Sequence, residues 1–185
     1  IGLDDVRPFN FRSGRPMSVY ALPRVAEQLR RRFEYVFGEP VPGLPRITLF
    51  PIDKDTPFYI GDIPVQPLEV LHGRLPILGF RFGDLTYLTD VKSVEEQEQK
   101  KIFGTKYLVT SALHHHEHPA HMNLEQALSF IAAVSPGQAW LTHVSHQMGL
   151  AADVNRHLPP NVRLAFDGQV IECQPTPLVP QTIQP

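Results

Sequence analysis

At 185 residues, with 42% apolar and 19% charged side chains, the composition is that of one globular domain, neither a disordered nor a membrane-embedded chain. The net charge of −2 excludes a generally basic surface for nucleic acid or anionic lipid. The single cysteine, Cys173, excludes an internal disulfide or a cysteine-built zinc cage, and the lack of a signal peptide or long apolar run makes the cytoplasm the expected compartment.

The elements alternate along the chain. "IGLDDVRPFNF" starts without methionine and reads as the continuation of an earlier segment. "MSVYA" is a short strand. From Pro23, suited to a first turn, Val25, Leu29, Phe33, Val36 and Phe37 recur at helical spacing until Gly38, and Arg30-Arg31-Arg32 form that helix's solvated face. "RITLFPI" has strand composition. "FYIGDIPVQPLEVLH" reads as a hairpin turning at Gly61-Asp62 and ending on His72; "ILGFRFGDLTYLTD" turns at Gly83-Asp84 and ends on Asp90. "KYLVTSAL" is a buried-type strand leading into "HHHEHPAH". Asn123 caps a helix running to Val134, with Gln126 completing a capping box. The strand "QAWLTH" ends on His143, a helix runs to Leu158, and "VRLAFDGQVIEC" reads as a last hairpin around Asp167-Gly168. From Cys173 onward, four prolines in thirteen residues predict an extended or disordered tail, so the domain is set at 1–173 and the tail at 174–185.

His72, Asp90 and His143 each stand at the C-terminal end of a predicted strand, where layered α/β folds hold loop-end side chains rigidly. Two imidazoles and a carboxylate suit zinc, manganese or iron. Each residue alone is an ordinary loop residue; only their joint placement raises a metal site to even standing with that plainer reading. The loop histidines His114, His115, His116 and His118 are read as lining the cleft, not as holding an ion of their own, and His157 as structural.

In this order, "LEVLHG", "LTYLTD" and "LTHVSHQ" resemble the later metal-binding motifs of the metallo-β-lactamase fold hydrolases. Within that superfamily the chain is similar to the branch of ribonuclease Z and the phosphoribosyl cyclic phosphodiesterase. His121 precedes His143 by 22 positions, as that branch spaces its catalytic histidine and last metal histidine. The resemblance runs to Cys173. It implies an α/β fold, the αββα sandwich of two mixed sheets covered by helices. Here the opening strands and the "H-x-H-x-D-H" motif that precedes segments like "IGLDDVRPFN" are lacking. It also implies two divalent ions, zinc or manganese: His72 on one, His143 on the other, Asp90 bridging them, and a hydroxide held by the pair as nucleophile. His121 would then stabilise or protonate the phosphate oxygens. By position alone, His146, close to His143, is read as fixing a ligand's orientation, and His116 and His118 as cleft residues that meet the substrate. Arg7 is read as meeting a substrate phosphate or, equally, forming a surface salt bridge. The family's His-x-Thr is replaced by His121-Met122-Asn123, so the threonine's role is not carried over. The expected activity is hydrolysis of a small, cyclic-type phosphodiester. The alternatives are thioester or lactam hydrolysis at the same centre, tRNA 3′-processing, and a non-catalytic binding module. The expected partner is that small substrate, with neither nucleic acid nor membrane, and a homodimer is the assembly considered.

Overall fold

The computed structural model describes residues 2–39 and 41–174, so the expected tail lies, but for Gln174, outside the described residues. The chain forms two compact units, one up to Asp53 and the other from Lys54 on.

The first unit begins with a 3-10 helix over Gly2–Val6 and helix α1 (Arg7–Ser13), a region to which the sequence had assigned no element. Strand β1 (Met17–Ala21), helices α2 (Pro23–Arg32) and α3 (Glu34–Phe37) and strand β2 (Ile47–Pro51) follow. β1 and β2 pair in parallel from Met17↔Ile47 to Ala21↔Pro51, and the two helices supply the crossover that parallel pairing requires. The single expected helix from Pro23 to Gly38 divides at Phe33, which leaves the helical region (φ −120°, ψ 43°) with its side chain buried. Asn10 ties α1 to this unit: its amide donates to the carbonyls of Arg15 and Arg46, at 3.0 Å each, and its oxygen accepts from the Arg46 N–H at 2.9 Å.

The second unit carries a seven-stranded mixed sheet. Its elements are β3 (Phe58–Ile60), β4 (Ile63–His72), β5 (Leu75–Phe82), β6 (Leu85–Tyr87), α4 (Glu96–Lys100), β7 (Tyr107–Ser111), α5 (Leu124–Val134), β8 (Gln138–Thr142), a 3-10 helix over His146–Met148, α6 (Ala151–His157) and β9 (Val162–Leu164). The strands lie side by side in chain order, antiparallel from β3 to β6 and parallel from β6 to β9. Both expected hairpins form, with Gly61 and Gly83 at φ 61° and 58°, a conformation that costs glycine little. Val65, Leu68 and Val70 of β4 are wholly buried, and Leu68 and Val70 share a core with Leu88, Leu108, Leu141 and the α5 residues Ile131 and Val134. Both halves of the capping box form: the Asn123 side chain accepts from the Gln126 N–H at 2.9 Å, and the Gln126 side chain accepts from the Asn123 N–H at 3.2 Å.

The expected last hairpin does not form. β9 ends at Leu164, and the turn at Asp167-Gly168 is present with Gln169 N–H donating to the Phe166 carbonyl at 3.1 Å, but no strand follows it among the described residues. Phe166 and Val170 are 70% and 83% exposed, so the residues flanking the turn bury little against each other, and Ile171 and Cys173 of the returning segment are only partly covered.

Helix α4, also unforeseen, is held by a buried carboxylate. One Glu98 oxygen accepts from the Glu69 backbone N–H at 2.8 Å and lies 2.9 Å from Lys101 Nζ. Glu98 is only 5% exposed. Glu98→Ala would strand the β4 amide and leave the Lys101 ammonium short of its counter-charge. We expect a loss of about 3 kcal/mol, seen as a lower urea midpoint at unchanged slope. A midpoint within error of the parent's would show this clamp to be solvated and idle.

Candidate metal centre

Two successive antiparallel pairings return β6 to the direction of β4, and β7 and β8 run parallel to β6. The C-terminal ends of β4, β6, β7 and β8 therefore lie along one sheet edge. His72 is the last residue of β4, Asp90 follows β6 by three residues, His121 lies in the β7–α5 loop, and His143 directly follows β8.

Backbone hydrogen bonds join these loops to one another. Lys92 N–H donates to the Leu71 carbonyl (2.6 Å) and Leu71 N–H to that of Ser93 (2.9 Å), tying the end of β4 to the Asp90 loop. Met122 N–H donates to Val91 (2.7 Å), Leu113 N–H to Met122 (3.0 Å) and Ser145 N–H to Leu113 (2.8 Å). The Ser111 hydroxyl accepts from the Val91 N–H at 3.1 Å in the buried interior. Every one of the four side chains thus stands within two residues of a cross-loop bond. Asp90 and His143 both have φ 57°, the left-handed region. That conformation costs a non-glycine residue roughly 1–2 kcal/mol, and such strain concentrates where geometry serves function.

The side chains converge. His143 Nε2 lies 3.4 Å from Asp90 Oδ1, and His121 Nδ1 lies 3.8 Å from the same oxygen. The His121 ring is centred 4.6 Å from that of His72 and 4.8 Å from that of His143. His72, Asp90 and His121 each bring one donor atom within 4.8 Å of the others. His72 donates its Nδ1–H to the Ala120 carbonyl at 3.1 Å, which leaves the Nε2 lone pair free. His121 Nδ1 is buried with no hydrogen-bond partner. Burial, and the neighbouring His143 and His72, hold its imidazole below the usual histidine range against the upward pull of Asp90. A neutral ring with a bare buried nitrogen, beside a carboxylate and further imidazoles, has the chemistry of a divalent-cation cup. Among the described residues no second group of three such donors assembles, so the expected pair of ions is represented here by one partial ligand cluster.

Of the expected ligands, His72 and Asp90 fall in one donor cluster, whose third member is His121, assigned from sequence to proton transfer; His143 adjoins that cluster through Asp90 and His121. His118 lies beside His121, ring centres 5.0 Å apart, while His116 is exposed, 6.0 Å from His114. Of the other loop histidines, His114 is buried, not cleft-lining as expected, and His115 is exposed with its Nε2–H donating to the Met148 carbonyl at 3.0 Å. His146 is exposed in its short helix, and His157 donates Nδ1–H to the Asp153 carbonyl at 3.0 Å. Arg7 belongs to the first unit, where its guanidinium reaches the Gly43 carbonyl at 3.5 Å. The residue that sequence reasoning missed is Ala120, which acts through peptide atoms that no side-chain pattern reveals.

The family model described as the beta-lactamase superfamily domain matches residues 1–144. An octanoyltransferase of Porphyromonas gingivalis is 36% identical over 169 residues, which make up 90% of this chain but 34% of that protein. The crystal structure of a new diphosphatase from the PhnP family superposes with a TM-score of 0.82 at 30% identity, covering 91% of this chain and 64% of that one. Human tRNase Z, short form, superposes at 0.57 with 19% identity, over 85% of this chain and 68% of its own. The chain therefore spans about a third of its curated relative and under two thirds of the PhnP-family structure. Among the described residues no helix is long and apolar enough to cross a membrane.

Proposed function

Because the chain belongs to the beta-lactamase superfamily domain family and has its metallo-β-lactamase sandwich fold, we propose that it is a metal-dependent hydrolase of a small phosphodiester, cyclic ones included. The observation that carries this reading is the convergence of His72, Asp90, His121 and His143 at one sheet edge. The 30% identity to a PhnP-family diphosphatase supports a phosphoryl substrate over a thioester or lactam.

His72, through Nε2, and His143 are the residues that would hold divalent ions, zinc or manganese, with the Asp90 carboxylate shared between them. Such ions supply Lewis-acid polarisation of the phosphoryl oxygens and a readily ionised water. His121, partly buried and with its basicity lowered by that burial and by its histidine neighbours, is assigned to carrying a proton to the leaving oxygen. Its Nδ1 position among the donors favours a second reading, in which it is a further ligand. His146 is assigned to steadying the His143 turn, and His116 to substrate contact.

The test compares bis-p-nitrophenyl phosphate, a thioester and a chromogenic lactam as substrates, each with zinc or manganese and again after chelation. We expect turnover of the diester alone, and only with metal. Preferential hydrolysis of the thioester or lactam would displace the phosphodiesterase reading.

A further inference from the structure

Ala120 touches two histidines with opposite ends of its backbone. Its carbonyl accepts from His72 Nδ1–H at 3.1 Å and from the Gly73 N–H at 3.2 Å. Its own N–H donates to His118 Nδ1 at 3.2 Å. A neutral imidazole carries one N–H and one lone pair, so whichever nitrogen is engaged decides what the other can do. The carbonyl fixes the His72 proton on Nδ1 and leaves an electron pair on Nε2. The amide fixes the His118 lone pair at Nδ1 and so puts its proton on Nε2. Two identical side chains at one site are thereby given opposite chemistry. His72 presents a lone pair, which suits a cation. His118 presents an N–H, which suits an anion and cannot ligate through Nε2.

The position of His118 fits that second role. Its ring is half-buried, 5.0 Å from His121, and Pro119 stiffens the chain between it and the amide that holds it. A neutral donor at this distance grips an anionic oxygen without adding positive charge beside the cation cup. We propose that His118 is the phosphoryl clamp of this site: its Nε2–H donates to a non-bridging phosphate oxygen, in the tautomer that the Ala120 amide imposes. The assignment rests on the phosphodiester reading above and names the residue that would hold the phosphate.

Two measurements on the full 185-residue chain test it. In the metal-free, 15N-labelled protein, long-range proton–nitrogen correlations report each tautomer; His118 protonated at Nε2 and His72 at Nδ1 is the expected pattern, and His118 protonated at Nδ1 overturns the proposal. In the zinc-supplied protein, inorganic phosphate is titrated against His118→Asn and His118→Gln. Asparagine offers the Ala120 N–H an acceptor but no donor that reaches as far, whereas the glutamine amide places an N–H near the Nε2 position. Phosphate affinity should fall about tenfold in His118→Asn, the worth of one hydrogen bond to an anion, and recover in His118→Gln, with zinc affinity unchanged in both. Equal phosphate affinity in all three proteins overturns the clamp, as does a loss of zinc affinity in His118→Asn, which would make His118 a ligand. Diester cleavage is scored separately: a protein that holds phosphate through His118 yet cleaves no diester keeps the clamp and loses the phosphodiesterase reading.

Discussion

Asp90→Ala is expected to lose divalent-cation affinity by more than about a hundredfold and to lose hydrolysis with it, since even hydrogen-bond partners of metal ligands are worth roughly 10–100-fold. The reason is geometric. Asp90 Oδ1 is the one atom that both His143 Nε2, at 3.4 Å, and His121 Nδ1, at 3.8 Å, face, and it supplies the only negative charge among these donors. Alanine is also less comfortable at φ 57°, so Asp90→Asn is the companion variant. Asparagine tolerates the left-handed conformation, keeps the shape and removes only the charge. Zinc titration against a competing chromophoric chelator, run beside diester hydrolysis, reads both effects in one sample. Parent-like cation affinity in Asp90→Ala would end the assignment of this cluster as the metal centre.

His121→Ala should separate chemistry from binding. If His121 carries a proton, removing it leaves the cation affinity within a few-fold of the parent and lowers kcat by about 10²–10⁴, the usual worth of a positioned acid or base. Its buried, unpartnered Nδ1 and its depressed basicity place a neutral ring there at rest, so the proton it delivers has to be acquired during turnover. Collapse of cation affinity would instead identify it as a ligand, which its place within 4.8 Å of the His72 and Asp90 donors allows. Parent-like turnover would remove the phosphodiester reading and put thioester hydrolysis ahead of it.

Much of the second unit was legible because its signals are local. Gly61-Asp62 and Gly83-Asp84 dictate hairpin turns through a backbone conformation that glycine enters cheaply, and Asn123 with Gln126 spells a capping box within four residues. His72, Asp90 and His143 could be singled out because each stands at or just past the end of a readable strand. What the sequence hid depends on distant atoms. The short α4 is stabilised by Glu98 reaching back to the Glu69 amide, 29 positions away, and the His72 tautomer by a carbonyl 48 positions on. The Asp167-Gly168 pair misled for the opposite reason: the turn forms as its local chemistry demands, but a turn does not by itself make a ladder, and Phe166 and Val170 beside it stay exposed. His121 was recognised, yet only the folded chain shows its Nδ1 against the Asp90 carboxylate.

The cross-loop bonds among Leu71, Ser93, Val91, Met122, Leu113 and Ser145 bear on how an ion would be received. Loops that are already tied to one another surrender little conformational freedom when a ligand arrives. A frame of this kind would keep the receiving geometry well populated before the ion arrives, with little dilution of the apparent affinity by incompetent conformers. Loading and unloading become a matter of imidazole and carboxylate torsions over a fixed frame. Release of an ion would leave that frame standing, since none of the cross-loop bonds runs through a metal-facing side chain.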